Sequence, residues 1–329
     1  MNKVIRWGIL STAKIGRTAV IPALQSSPMA RVTAVASRSE DQAQTFADPL
    51  GIPQAYGSYE ALLADPEIDA VYNPLPNHLH KPWTIQAIEA GKHVLCEKPL
   101  ALNTAECEEM IAAAKANGVQ LMEAFMYRYH PRIAAARQLV QEGAIGDVRT
   151  IESAFSFVLA DKTNIRQYPE MGGGALMDIG CYCVNISRLM AGREPVVVHA
   201  RMHLTPTGVD DQFTGLLDFG DGLMAHFDCG FNQAPRQRCL VSGTEGNLEM
   251  PVAFNMGQVK TKLFVDKGSG KPRTHRFPAV DMYRLMAEDF MHAIEGRPPA
   301  FPIEDALGNM RVIQALFASA REHGLPVSP

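Results

Sequence analysis

Two stretches of this chain combine residue types that do chemistry. The first is His93-Val94-Leu95-Cys96-Glu97-Lys98-Pro99, an apolar run that ends on an acid and a lysine, with a proline to fix the following turn. A lysine at a strand end can hydrogen-bond a substrate hydroxyl. Partial burial beside apolar or cationic neighbours brings its pKa toward the working range. The second is Met171-Gly172-Gly173-Gly174-Ala175-Leu176-Met177-Asp178-Ile179-Gly180-Cys181-Tyr182. Its three glycines let backbone approach something closely at a helix start. Asp178 and Tyr182, spaced i, i+4, share one helical face. Gly180 costs about 1 kcal/mol against alanine inside a helix, which predicts close packing there. The residues alone leave blander readings open: a surface lysine in a strand-to-helix loop, and a glycine loop that caps a core helix with Tyr182 as a buried aromatic.

A third stretch, Gly8 to Gly16, lies between the first strand and the first helix, where dinucleotide-binding folds place G-x-G-x-x-G. Here the pattern is S-x-A-x-x-G. A pyrophosphate needs backbone amides at a helix N-terminus and no bulky obstruction, so Ser11, Thr12, Ala13, Lys14 and Ile15 remain candidates to hold it. The second strand ends in Ser37-Arg38 where NAD-selective folds carry an acid. An arginine stacks on adenine and pairs with a 2′-phosphate, so NADP is expected over NAD. Pro74, Leu75, Asn77 and His80 follow the next strand on the same ligand-facing edge and join the cofactor set with Glu97 and Lys98.

These residues need a scaffold. Strand-like runs at 4–10, 32–36, 69–72, 93–96 and 119–122 alternate with helix-like runs at 14–25, 40–47, 58–63, 83–90 and 103–118. That rhythm predicts a doubly wound parallel sheet, a Rossmann domain over residues 1–122. Residues 123–329 read as a second α/β domain with a large, open, mostly antiparallel or mixed sheet. Its strands fall at 150–158, 196–204, 212–219, 223–231, 237–243, 247–250 and 259–265, and its helices at 133–141, 172–190, 282–294 and 303–323. The net charge of −4 excludes a basic nucleic-acid or anionic-membrane surface as the main partner. No apolar run reaches a membrane span, and no signal peptide is read at the start. The six cysteines are scattered without metal spacing, so free thiols, a cytoplasmic location and no metal are expected.

Glu97-Lys98-Pro99 and the G-G-G-x-L-x-D-x-G-x-Y of Gly172 to Tyr182, in this order and separation, resemble the glucose–fructose oxidoreductase / inositol dehydrogenase (Gfo/Idh/MocA) family across essentially the whole chain. Many members carry histidine at the Tyr182 position. The tyrosine, the segment Met122 to Pro131 and Asn164-Ile165-Arg166 resemble the branch of NADP-dependent D-xylose 1-dehydrogenases, dimeric dihydrodiol dehydrogenases and glucose–fructose oxidoreductase. The resemblance implies hydride transfer between NADP and a sugar or cyclic diol in a cleft between the domains. It makes Lys98 a catalytic lysine that meets the nicotinamide ribose, Tyr182 the acid/base and Asp178 the residue that orients substrate. It often places a cis peptide before the proline. Tyr127 and Arg128 are further substrate candidates, and Arg166 a contact for cofactor or substrate. A homodimer or homotetramer built on the open sheet is expected. The rivals are a keto- or anhydro-sugar reductase, an oxidoreductase with tightly held NADP, and a non-catalytic NADP sensor.

Overall fold

The computed structural model describes residues 4–329. The chain divides into two compact units, residues 1–126 with 281–307 and residues 127–280 with 308–329. The first unit opens with β1 (Ile5–Leu10), α1 (Ile21–Ser26), β2 (Ala30–Ala36), α2 (Glu40–Ala47), β3 (Gln54–Tyr56) and α3 (Tyr59–Leu63). It continues with β4 (Ala70–Asn73), α4 (His80–Glu89), β5 (His93–Glu97), α5 (Thr104–Asn117) and β6 (Leu121–Ala124). The strands form one parallel sheet in the order β3-β2-β1-β4-β5-β6. The expected Rossmann topology is therefore present. The order reverses at β1, and ligands of such sheets bind outside the carboxyl ends of the strands at that switch. β1 and β4 are buried almost throughout, as strands covered by helices on both faces must be. At α5, Asn103 accepts from the Glu106 amide at 3.0 Å while the Glu106 carboxylate accepts from the Leu102 amide at 3.0 Å, so the expected helix start is capped from both sides.

The second unit begins with α6 (Pro131–Gln141), β7 (Val148–Val158) and α7 (Cys181–Ala191). The strands β8 (Val197–Leu204), β9 (Asp210–Asp218), β10 (Met224–Gly230), β11 (Asn232–Gly243), β12 (Asn247–Met250), β13 (Thr261–Asp266) and β14 (Arg273–Phe277) follow. They join β7 in an eight-stranded sheet of order β14-β13-β12-β11-β7-β10-β9-β8. β7 and β10 pair in parallel; the other neighbours are antiparallel. One face buries Ile151, Phe213, Phe227 and Val241, with α7 packed on β7 and β10 and Phe317 edge-on to Phe213. The other leaves Thr214, Leu216, Met224 and His226 exposed.

The sequence places residues 281–307 with the second half, but they pack in the first unit. α8 (Met282–Ile294) returns to it: Phe290 meets Trp7 with ring centroids 5.6 Å apart, and the Ser27 hydroxyl donates to Glu288 at 2.8 Å. The unit boundary falls inside α9 (Glu304–Arg321), which closes the chain.

Candidate active site

In the first unit the helix that follows β1 starts near Lys14 and contains a π turn at Gly16–Val20. Ser11 makes the turn before it with φ 106°, a left-handed conformation that an L-residue holds only under strain. Its amide donates to Ala36 O at 3.0 Å and its hydroxyl accepts from the Ala13 amide at 3.3 Å. Ile15, the residue before the π turn, makes no side-chain cap of its own. A small-residue turn running into a helix N-terminus is the donor set that a pyrophosphate needs. Gly16 lies against Ile9 and Tyr72; a Cβ built on it would meet them, and Ile21, at 3.8–4.0 Å, an ordinary contact distance.

At the end of β2, Arg38 is exposed, whereas Ser37 is 4% exposed and its hydroxyl donates to Gln42 Oε1 at 3.2 Å. The expected 2′-phosphate pair therefore narrows to Arg38, because the Ser37 proton is already committed. Arg38 lies near Tyr59, whose ring packs edge-on to Trp83 at 4.7 Å between centroids.

Beyond β4, the loop residues Pro74 and Leu75 are buried, and Asn77 opens a short 3₁₀ turn, Asn77–Leu79. His80 is fully buried. Its Nδ1 lies 2.9 Å from Pro99 O and its Nε2 2.8 Å from Leu75 O. Burial, against the pull of the two carbonyls, lowers its pKa to about 4, so the imidazole is neutral and donates from one nitrogen only. The expectation of direct cofactor contact by the His80 ring is corrected: the ring braces the β4 loop against the turn after β5. That turn carries Lys98 on a cis Lys98–Pro99 peptide, as the resemblance implies. The Glu97 carboxylate accepts from the buried Tyr72 hydroxyl at 2.5 Å and from the Lys98 amide at 3.3 Å.

In the second unit the helix starts at Ala175, so the three glycines form a loop and are not its first turn. What they approach closely is the protein itself. A Cβ on Gly173 would stand 2.5 Å from Arg166 O, and one on Gly174, which has φ 106°, would overlap the Asp210 carboxylate. Asp210 Oδ2 accepts from the Leu176 amide at 2.7 Å and caps the helix from a strand far along the chain. Burial raises its pKa to about 7, against the amides of Leu176, Asp210 and Ala175. Sequence reasoning missed Asp210, because nothing local marks a cap that arrives from another element.

The helix continues through a π turn at Leu176–Gly180 into α7. Asp178 therefore sits in the π turn and Tyr182 in the first turn of α7, a wider winding than the i, i+4 argument assumed. Gly180 packs as expected: a Cβ there would be 2.8 Å from Cys229 Sγ. Arg166 Nε donates to Asp178 Oδ2 at 2.6 Å, and its own amide and Nη1 both reach Asn164 Oδ1 at 3.2 Å. Arg166, expected at the cofactor, thus holds the Asp178 carboxylate in one orientation. Tyr182 is 6% exposed inside an aromatic box of Phe155, Phe254 and Tyr127, with centroids 5.5, 5.5 and 5.8 Å away. Tyr127, expected at the substrate, is fully buried and its hydroxyl donates to Asn185 Oδ1 at 2.6 Å, so it walls the box; Arg128 is buried beside it in sequence. The six cysteines are buried and form no disulfides, and no cluster of metal-ligating side chains occurs among the described residues. No helix among them is long and apolar enough to cross a membrane.

Comparison with known proteins places this geometry in context. Residues 5–125 match the oxidoreductase family with an NAD-binding Rossmann fold, and residues 133–249 match the GFO/IDH/MocA C-terminal domain. A D-xylose 1-dehydrogenase (NADP(+)) of Haloferax volcanii is 42% identical over 95% of this chain and 97% of its own length. A mouse trans-1,2-dihydrobenzene-1,2-diol dehydrogenase is 39% identical over 74% of this chain and 73% of its own. The crystal structure of KijD10, a 3-ketoreductase from Actinomadura kijaniata in complex with NADP and TDP-benzene, superposes with a TM-score of 0.91 at 31% identity, covering 96% of this chain and 97% of that one.

Proposed function

Because the chain belongs to the GFO/IDH/MocA oxidoreductase family, we propose that it oxidises the anomeric hydroxyl of an aldopyranose, of the D-xylose or D-glucose type, to a lactone with NADP. The observation that carries this reading is the Arg166-held Asp178 carboxylate one helical turn before the boxed Tyr182. The cofactor residues fit NADP: a small-residue turn feeds a helix N-terminus, and a cation, not an acid, stands at the end of β2. When bound, NADP supplies the hydride acceptor.

Tyr182 is the acid/base, and as the phenolate it takes the proton of the reacting hydroxyl. Its aromatic box leaves the ring few rotamers, so the phenol oxygen is held at one place. Asp178 accepts from a second sugar hydroxyl, and Arg166 keeps it oriented. Lys98 provides the cation at the ligand-facing edge of the parallel sheet. Its role, like that of Tyr182, follows the family pattern. A cytoplasmic location belongs to the same proposal, as does a homodimer or homotetramer through the exposed face at Leu216 and Met224, for which light scattering is the measurement.

The test is NADPH formation, followed by absorbance, from NADP⁺ with a panel of aldoses and one cyclic trans-diol. Turnover confined to an aldose class supports the reading. Turnover of the diol alone, or only NADPH consumption with a keto-sugar, moves the assignment to the neighbouring activities. Tyr182→Phe is expected to lose about 10³-fold in turnover while NADPH still binds; a variant that keeps its turnover removes the acid/base assignment. Arg38→Ala is expected to raise the KM for NADP about tenfold with little change for NAD. Equal effects on both cofactors would reject Arg38 as the 2′-phosphate contact.

A further inference from the structure

Tyr72 has no place in the functional reading so far, yet it touches both parts of the cofactor edge. It is fully buried in β4, between β1 and β5. Its hydroxyl donates to Glu97 Oε1 at 2.5 Å, while Glu97 Oε2 accepts from the Lys98 amide at 3.3 Å. Its ring edge lies 3.9 Å from where a Cβ on Gly16 would stand, so it also supports the helix start of the cofactor turn. A phenylalanine would fill the same space with no polar atom to satisfy. A buried phenol needs a partner, and here that partner is a carboxylate on the ligand-facing edge.

We propose that Tyr72 is a positioning residue: its hydroxyl fixes the Glu97 carboxylate, and through it the Lys98 turn, against the cofactor. This rests on the reading that Glu97 and Lys98 face NADP. With one oxygen on the phenol and the other on the Lys98 amide, the carboxylate is held from both sides. α8 brings a second phenol, Tyr283, to the same group; burial, with Glu97 and Asp281 nearby, pushes its pKa up. Titratable groups around Glu97 include Tyr72, Tyr283, Cys96 of its own strand, Lys98 next in the chain and Glu123 on the neighbouring β6. A hydrogen bond to the ionised form lowers a carboxylate pKa, so its removal moves the titration of Glu97 to higher pH.

The experiment is a fluorescence titration with NADPH at several pH values between about 5 and 8, on the wild type, Tyr72→Phe, Glu97→Gln and the double variant. Tyr72→Phe is expected to weaken binding about tenfold at the acid end and less at the alkaline end. Glu97→Gln is expected to weaken binding by a similar factor at every pH, and Tyr72→Phe added to it should cost less than about twofold. Tyr72→Phe losses that are equal at every pH and multiply in the double variant would overturn the proposal. Should Tyr72→Phe fail to fold, Glu97→Gln decides alone: weaker NADPH binding supports the proposal and wild-type affinity overturns it. NADPH binding needs no sugar, so absence of turnover on the whole panel would sink the dehydrogenase reading and leave this result standing. A wild type that does not bind NADPH overturns both.

Discussion

The chain twice leads small residues into a helix that begins with a π turn, once from Ser11 to the turn at Gly16–Val20 and once from Gly172 to the turn at Leu176–Gly180. At the first start the left-handed residue is a serine, strained at φ 106°, whose hydroxyl accepts from the Ala13 amide. At the second it is Gly174, which holds the same φ without strain, and the Asp210 carboxyl group caps the helix N-terminus. The first start keeps the features of an anion site. The second has its acceptor built in, a carboxyl oxygen of the protein. The first amides of a helix need acceptors in either case; what differs is whether the chain supplies one. The second start is thereby freed for another task, to hold Asp178 and Tyr182 in fixed directions.

Substitutions at the two starts sharpen this contrast. Gly174→Ala should be the most damaging, because it combines a left-handed φ with overlap on Asp210; a loss of about 3 kcal/mol or more in unfolding free energy is expected by denaturant titration. A loss below about 1 kcal/mol would show that the Asp210 cap yields easily.

The pH dependence of that cap comes next. Folded Asp210 holds its proton up to about pH 7, whereas an unfolded aspartate releases it near 4. The folded state binds more protons across this window, so stability from Asp210 falls as pH rises from about 4 to 7, by on the order of 4 kcal/mol. Comparison of wild type with Asp210→Asn by unfolding at both pH values should show the wild type losing ground toward pH 7. The opposite slope would mean that Asp210 works as an ionised cap.

Gly16→Ala should have the smallest effect. Its neighbours stand at ordinary contact distance and its φ is not left-handed, so alanine is expected to raise stability by about 0.5–1 kcal/mol through helix propensity. NADPH titration of this variant should stay within about threefold of wild type. A greater loss would mean that the bound pyrophosphate, and not the protein, is what needs the glycine.

The parallel sheet was legible because most of its strands are short apolar runs and several of its helices carry start and stop signals, as at Asn103 and Gly118. Two strands were not foreseen. β3 has only three residues, and β14, Arg-Thr-His-Arg-Phe, lies at a sheet edge where no apolar face is required. The residue types of the candidate site were visible, but their directions were not. His80, Ser37 and Tyr127 carry polar groups that read as ligand contacts, yet all three turn inward to protein partners. Arg166 reads as a cofactor contact and instead meets Asp178, twelve residues on. The spacing tells which residues are near along the chain; the side of a loop that faces the interior depends on strands that arrive later.

The return of α8 to the first unit bears on the order of events during synthesis. A ribosome finishes β6 roughly 150 residues before it delivers Asp281, an interval of order ten seconds at ordinary rates of synthesis. Until then Trp7 lacks the ring of Phe290, and Ser27 lacks Glu288. The nascent amino-terminal sheet must therefore wait, incompletely covered, for residues 281–307, and a chain cut short before them leaves the nucleotide-binding half unfinished as well.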